Sequence, residues 1–111
     1  MPGEIVTALY RPRPGKEGAL RALLKRHVAT LRAEGLATRR PVVLMRSRAD
    51  RTYVEVFEWA TAESAGEAHV NPRVAEIWKG MGEVCDMLTL ADLKEATERF
   101  PHFEPVDGLE A

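Results

Sequence analysis

The sequence lacks several features that mark large functional classes. Cys85 is the only cysteine among 111 residues, which excludes an intramolecular disulfide and is typical of a reducing cytoplasm. Acidic residues outnumber basic ones by only 17 to 16 and the basic residues are dispersed, which argues against a nucleic-acid partner. No apolar run approaches the ~20 residues of a membrane-spanning helix, and residues 1–4 do not resemble a signal peptide. We therefore expect a cytoplasmic protein without a membrane partner.

Motifs for cofactors and metals are also missing. The sequence contains no glycine-rich phosphate loop and no dinucleotide fingerprint. Its three histidines, His27, His69 and His102, are too widely separated in the chain to predict a metal site. We therefore expect neither a cofactor nor a metal. An oxidoreductase built from this chain would have to work without a nucleotide or metal that it binds by itself.

What the sequence does contain is a set of strand and helix patterns in the order βαββαβ. Strands are predicted at 4–11, 41–48, 51–59 and 86–91, and helices at 16–35, 62–70, 72–84 and 93–99. The order predicts an α+β fold of the ferredoxin-like type, in which a four-stranded antiparallel sheet carries helices on one face. We expect one domain over residues 1–100 and a docked C-terminal tail over residues 101–111.

Helices on one face leave the opposite face of the predicted sheet uncovered. The strand at 4–11 is almost entirely apolar, so we expect both of its faces to be buried. A monomer would expose an apolar patch too large for a protein in water, and two sheets paired across a two-fold axis would cover it. We therefore expect the chain to be its own partner in a homodimer.

The passage between the third strand and the last long helix resembles a known family. The strand ends in Trp59 and His69 follows ten residues later. Asn71 then offers a helix N-cap, with Pro72 at the first helical position. Together with Pro14-Gly15-Lys16 before the first helix, this passage resembles the antibiotic-biosynthesis-monooxygenase-like family of dimeric α+β barrels. The resemblance covers roughly residues 4–90 and implies that two subunits form a barrel.

The same resemblance implies a choice among the family's functions. Its members include cofactor-free monooxygenases acting on quinols and polyketide phenols, haem-degrading enzymes, and many proteins without known activity. The haem-degrading branch carries an asparagine on the first strand and a histidine on the long second helix. This sequence has neither at 4–11 or 72–84, which disfavours that branch.

His69 is the candidate catalytic residue. Imidazole titrates near pH ~6.5, which suits binding or deprotonating a phenolic or quinol hydroxyl. The structural alternative is that His69 ends a helical turn, bonds a backbone carbonyl and helps to set the bend before Asn71-Pro72. Position alone favours this alternative, and the resemblance brings the two interpretations close to even because relatives often keep a histidine here.

Trp59, Trp78, Tyr53 and Asn71 are candidate substrate-binding residues. A flat aromatic ligand can stack on the tryptophans and gain about 0.5–1.5 kcal/mol beyond simple burial. Each tryptophan also stands where its own element needs a large apolar group, so ordinary core packing is the alternative. Tyr53 shares a strand face with Trp59. The cofactor-free monooxygenases that the chain resembles use a histidine or an asparagine beside a tryptophan, which adds Asn71.

Glu55 is a further candidate for contact with a substrate. It shares a strand face with Tyr53 and Trp59, while the valines on the other face are expected to pack against a helix. Glu55 would then face the barrel interior, where a buried carboxylate needs a partner. We expect an ion pair with Arg46 or Arg48, either as a structural pair across the hairpin or as part of a substrate clamp or general base.

Three functional hypotheses follow. The first is a homodimeric, cofactor-independent monooxygenase-like protein for a small aromatic or quinol substrate, with His69 acting on the substrate and the aromatic residues lining the pocket. The second is a non-catalytic protein on the same scaffold that binds or carries an apolar metabolite. The third is a cofactor-free isomerase or cyclase. A ligand-sized cavity containing His69 would favour the enzymatic hypotheses, and a filled interior would favour a structural or interaction role.

Overall fold

The computed structural model describes residues 3–109, so Met1, Pro2, Glu110 and Ala111 of the predicted domain and tail lie outside the described residues. Short 3-10 turns at Leu90–Asp92 and Lys94–Thr97 precede the last strand. The helices and strands are β1 (Glu4–Pro12), α1 (Glu17–Ala33), β2 (Val43–Arg46), β3 (Tyr53–Trp59), α2 (Ser64–His69), α3 (Pro72–Val84), β4 (Cys85–Leu88) and β5 (Glu104–Pro105).

The strands form one open antiparallel sheet in the order β4-β1-β3-β2-β5. The predicted α+β class is therefore confirmed, although the sheet has a fifth strand that the sequence analysis does not predict. That strand, Glu104–Pro105, pairs with Met45 and Arg46 of β2 and brings the following Val106 into the core. Within residues 3–109, no helix has the length and apolar character needed to cross a membrane.

The two long helices form where the sequence predicts them. The helical spacing of Leu20, Leu24, Val28 and Leu31 predicts a core stripe on α1, and all four residues are buried. Gly35 follows α1 with a φ of 76°, a backbone conformation that glycine adopts at little cost. At the start of α3, Oδ1 of the predicted N-cap Asn71 accepts hydrogen bonds from two backbone N–H groups, and Pro72 occupies the first helical position.

Three local predictions are wrong. The β2–β3 connection is not a two-residue turn but spans residues 47–52, with Arg51 at a φ of 63°. Thr61 precedes the helix predicted at 62–70 and is expected to be its N-cap, but the N-cap residue of α2 is Glu63, and the Thr61 hydroxyl bonds the Ser64 hydroxyl. The helix predicted at 93–99 is a 3-10 turn over Lys94–Thr97. Two of the errors lie in segments with contacts distant in sequence, since Asp50 pairs with Arg11 and the Ser47 hydroxyl donates to Glu95.

The face of β3 that packs against the helices is the aromatic one, opposite to the prediction. Tyr53, Glu55, Phe57 and Trp59 lie beneath α1 and α3, whereas Val54 packs on the other side of the sheet. Ala8 lies opposite Glu55, and Val6 lies opposite Phe57, in the pairing with β1. At these two positions the smaller side chains of β1 leave room beneath the helices for the larger ones of β3.

The helix-free face is covered at one end by the chain that follows β4. Leu93 is buried there against Leu9 and Val54, and Phe103 packs on the same cluster. The expectation that this face is entirely bare is therefore wrong. Ile5 and Val43 remain exposed, at 56% and 52% of their surface, so an apolar strip persists at the other end.

Candidate functional site

An aromatic cavity of about 320 Å³ opens between the two long helices and the sheet. Its volume exceeds the ~150 Å³ that holds a benzene molecule and lies near the lower end of the ~300–1,000 Å³ range of ligand pockets. A small planar molecule therefore fits. The aromatic cavity is lined by Val6, Ala8, Tyr10, His27, Phe57, Trp59, His69, Trp78, Met81, Gly82 and Met87.

The aromatic rings of this cavity meet edge to face. Phe57 and Trp59 have ring centroids 4.9 Å apart with planes at 72°, and His69 and Trp78 have centroids 4.9 Å apart with planes at 69°. Such pairs gain about 0.5–1.5 kcal/mol beyond area burial. His69 is exposed, so its imidazole stands on the solvent side of the cavity. Within residues 3–109, no hydrogen bond is assigned to that imidazole, which leaves both ring nitrogens for a ligand.

Beneath the cavity runs a buried chain of four hydrogen-bonded side chains. The Tyr10 hydroxyl donates to Oε1 of Glu55 at 2.8 Å, and Nδ1 of His27 lies 2.9 Å from the same oxygen. On the other side of the imidazole, Nε1 of Trp78 donates to Nε2 of His27 at 2.9 Å. Tyr10, His27 and Glu55 are 1%, 3% and 1% exposed, so these three are almost completely shielded from solvent, whereas Trp78 is half-buried.

The hydrogen bonds fix the protonation of the imidazole in this chain. An indole N–H is only a donor, so Nε2 of His27 must be its acceptor and carries no proton. The remaining ring proton is then on Nδ1 and is donated to Glu55, which makes the His27 ring neutral. Burial, reinforced by the charge of Glu55, raises the pKa of Tyr10 well above its usual value, so its phenol stays protonated and donates.

The aromatic cavity brings together some of the predicted site residues. His69, Trp59 and Trp78 line it, and Glu55 lies just beneath it through its bonds to Tyr10 and His27. Arg46 and Arg48, the expected partners of Glu55, instead form ion pairs with Glu104. The expected cross-hairpin ion pair of Glu55 is therefore wrong.

Two other predicted residues lie away from the cavity. The Tyr53 hydroxyl donates to Oε2 of Glu17 at 2.5 Å and accepts from Nη1 of Arg21 at 3.1 Å. Asn71 caps α3 and donates from Nδ2 to Oε1 of Glu34 at 2.9 Å. Neither side chain lines the aromatic cavity. Both hold distant parts of the chain together.

Tyr10 and His27 are the site residues that the sequence analysis does not single out. A signal for His27 exists, because it follows Leu24 by three residues and precedes Leu31 by four, which places it within the buried stripe of α1. A histidine in such a stripe needs internal hydrogen-bond partners. The identity of those partners depends on the β1–β3 pairing and cannot be read from spacing.

A second polar cluster lies at the start of α1. Glu17 pairs with Arg46 at 2.6 Å and with Arg51 at 2.5 Å, and it accepts the hydroxyl of Tyr53. Burial alone would raise the pKa of Glu17, but the hydrogen bonds from Tyr53, Arg51 and Arg46 outweigh it and hold that pKa below its usual value. In this cluster the negative charge of Glu17 is balanced by the positive charges of Arg46 and Arg51.

Comparisons of the chain with protein-family models, with curated proteins and with solved structures found no match.

Proposed function

We propose that this protein is a cofactor-independent, monooxygenase-like protein that takes a small phenol or quinol into the aromatic cavity. The supporting observation is the cavity itself: about 320 Å³ of aromatic-lined space with an unbonded imidazole on its solvent side. The ligand's ring packs against Trp78 and Phe57, and its hydroxyl donates to His69. The functional proposal also rests on the sequence resemblance to cofactor-free quinol oxygenases.

We assign the role of base to His69 because His27, the other histidine at the cavity, already uses both ring nitrogens in hydrogen bonds within the protein. Both nitrogens of His27 are bonded within the protein, to Trp78 and to Glu55. Proton removal by His69 yields an electron-rich phenolate, which can reduce O₂ directly. A quinol and O₂ then give a hydroxyquinone and water: one oxygen atom forms a bond to a ring carbon, the other leaves as water, and the quinol supplies all four electrons.

Two measurements test this proposal. Under nitrogen, 1-naphthol should quench tryptophan fluorescence in a saturable way, since both tryptophans line the cavity. In an oxygen electrode, 1,4-dihydroxynaphthalene should show protein-dependent O₂ uptake that falls about a hundredfold in His69→Ala. His102→Ala is the matched control, because His102 is exposed and lies outside the cavity lining. O₂ uptake unchanged in His69→Ala would remove His69 from the mechanism.

A non-catalytic binding protein is the second candidate. It is favoured by the fact that the buried polar groups at the cavity are bonded to one another, so only His69 is left to act on a ligand. Saturable 1-naphthol binding without O₂ uptake from any quinol would identify this function. Conversion of a ligand without O₂ uptake would point instead to an isomerase or cyclase.

We further propose that the fold is ferredoxin-like and that two subunits pair through their helix-free faces to form a barrel. The strand order β4-β1-β3-β2 and the exposed Ile5 and Val43 support this arrangement. Light scattering at micromolar concentration should give a dimer mass that Ile5→Lys reduces. A monomer at that concentration would contradict the barrel.

A further inference from the structure

A second cavity, of about 250 Å³, lies on the other side of α1 from the aromatic cavity. This α1–β2 cavity is bounded by α1, by β2 with the residues before it, and by the residues that follow β5. Leu24, Val28, Leu44 and Val106 give it an apolar lining. Its volume also exceeds the ~150 Å³ that holds a benzene molecule. A small apolar body therefore fits it.

Glu55 lies at the α1–β2 cavity as its one buried charged side chain. It is 1% exposed, whereas Lys25 and Asp107, the other charged residues of the lining, are exposed and of opposite sign. Both hydrogen bonds that Glu55 accepts end on Oε1. Within residues 3–109, no hydrogen bond is assigned to Oε2, so this oxygen can accept one from a ligand.

The electrostatics of Glu55 indicate what kind of ligand this is. Its two donors, the phenol of Tyr10 and the imidazole of His27, are both neutral, and in the described part of the chain neither a lysine nor an arginine pairs with it. A buried carboxylate is normally balanced by a cation or by a full set of hydrogen bonds. A ligand cation would balance the negative charge of Glu55 and supply a hydrogen-bond donor for its Oε2. A ligand carboxylate or phosphate would be repelled by the same charge.

We propose that the α1–β2 cavity binds a small primary amine as its ammonium ion, with the alkyl body against Leu24, Leu44 and Val106 and an N–H donated to Oε2 of Glu55. The site is separate from the proposed phenol site, because α1 lies between the two cavities and the ligands differ in charge. Neither the fold nor the proposed function requires it.

Methyl NMR with hexylamine as the probe tests the proposal and reports which cavity is occupied. At neutral pH we expect saturable shifts of the Leu24, Leu44 and Val106 methyls, with Met81 and Met87 of the aromatic cavity unchanged. 1-Hexanol, which offers a neutral donor of the same length, should bind about tenfold more weakly, and hexanoate should not bind. Shifts confined to Met81 and Met87, or no saturable shift, would overturn the proposal.

Three variants distinguish the loss of hexylamine binding at this site from a general effect on the fold. Glu55→Gln keeps the side-chain shape but removes the charge, and it should weaken hexylamine binding about tenfold to a hundredfold. Ala29→Phe leaves Glu55 intact and fills the cavity from the α1 side, so it should abolish binding. Gly82→Leu narrows only the aromatic cavity and should leave hexylamine affinity unchanged. Wild-type affinity in folded Glu55→Gln or Ala29→Phe would contradict the assignment, whatever the 1-naphthol experiment gives.

Discussion

Two polar clusters lie under α1, one at its first turn and one beneath its middle. Each contains one central carboxylate, and the two carboxylates differ in the charge of their hydrogen-bond partners. Glu17 is surrounded by cations, with Arg46 and Arg51 within 2.6 Å. Glu55 is buried with the neutral donors Tyr10 and His27. The first cluster is partly exposed and the second is almost completely buried.

The difference separates a structural cluster from a ligand-facing one. Glu17 and Arg51 also line a pocket, but the charge of the Glu17 carboxylate is already balanced by Arg46 and Arg51, so the cluster leaves no unbalanced charge for a ligand. Around Glu55 the groups bond one another, border two cavities and leave one carboxylate oxygen for a ligand. Substitutions around Glu17 should therefore change stability alone, whereas substitutions around Glu55 should change both stability and ligand binding.

Removing the two carboxylates gives the largest expected contrast. Glu55→Ala leaves the hydroxyl of Tyr10 and Nδ1–H of His27 buried without an acceptor, so we expect a loss of about 2–4 kcal/mol in the free energy of unfolding. Glu17→Ala should cost only about 1 kcal/mol, because Arg46 and Arg51 reach solvent and the Tyr53 hydroxyl keeps its hydrogen bond from Arg21. Urea unfolding at pH 7 measures both. A larger loss in Glu17→Ala would mean that the charged cluster, and not the buried chain, dominates stability.

Filling the aromatic cavity should separate binding from stability. A Cβ on Gly82 meets no atom within 4 Å, so Gly82→Leu fits in α3 and should raise stability by about 0.5–1 kcal/mol through helix propensity. Because Gly82 lines the cavity, we expect the leucine side chain to narrow it, and 1-naphthol affinity should fall at least about tenfold, or 1.4 kcal/mol. Gly18→Ala is the matched control, with open space around it and no place in the cavity. Undiminished 1-naphthol affinity in Gly82→Leu would move the phenol site elsewhere.

Local sequence signals predicted the parts of this molecule that depend on neighbours in the chain. The core stripe of α1 and the Asn71-Pro72 start of α3 follow from helical spacing and capping chemistry. The alternation in β3 predicted which residues share a face. It could not predict which face the helices cover, because both faces carry residues that can be buried and the choice depends on the pairing with β1.

The candidate site was predictable only in part, for the same reason. His69, Trp59 and Trp78, three of the predicted site residues, line the aromatic cavity. Tyr53 and Asn71 instead bond Glu17 and Glu34, each more than 30 residues away in the chain. Contacts at that separation follow from how the elements pack, and no single-sequence pattern reports them.

Asn71 allows a direct test of capping against ligand binding. Its Oδ1 accepts from the N–H groups of Arg73 and Val74, so Asn71→Ala should lower the free energy of unfolding by about 1 kcal/mol. The 1-naphthol affinity should stay at the wild-type value, because Asn71 is not part of the cavity lining. Asn71→Ser is the control, since serine also caps helices and carries no charge against the carboxylate of Glu34. A loss of 1-naphthol affinity in both variants at unchanged stability would place Asn71 in the binding site.

The smallest effect that we expect is the pH dependence contributed by Glu17. Its pKa is lower in the folded protein than the ~4.3 of an unperturbed glutamate, so it stabilises the fold above that pH and loses this contribution as pH falls through its folded pKa. Glu17→Gln should therefore lose less stability than wild type between about pH 5 and pH 3, by under about 1 kcal/mol. Urea unfolding at several pH values in this window gives both slopes. Parallel slopes for the two proteins would show that Arg46 and Arg51 do not bias the protonation of Glu17, and the contrast between the two clusters would then rest on burial alone.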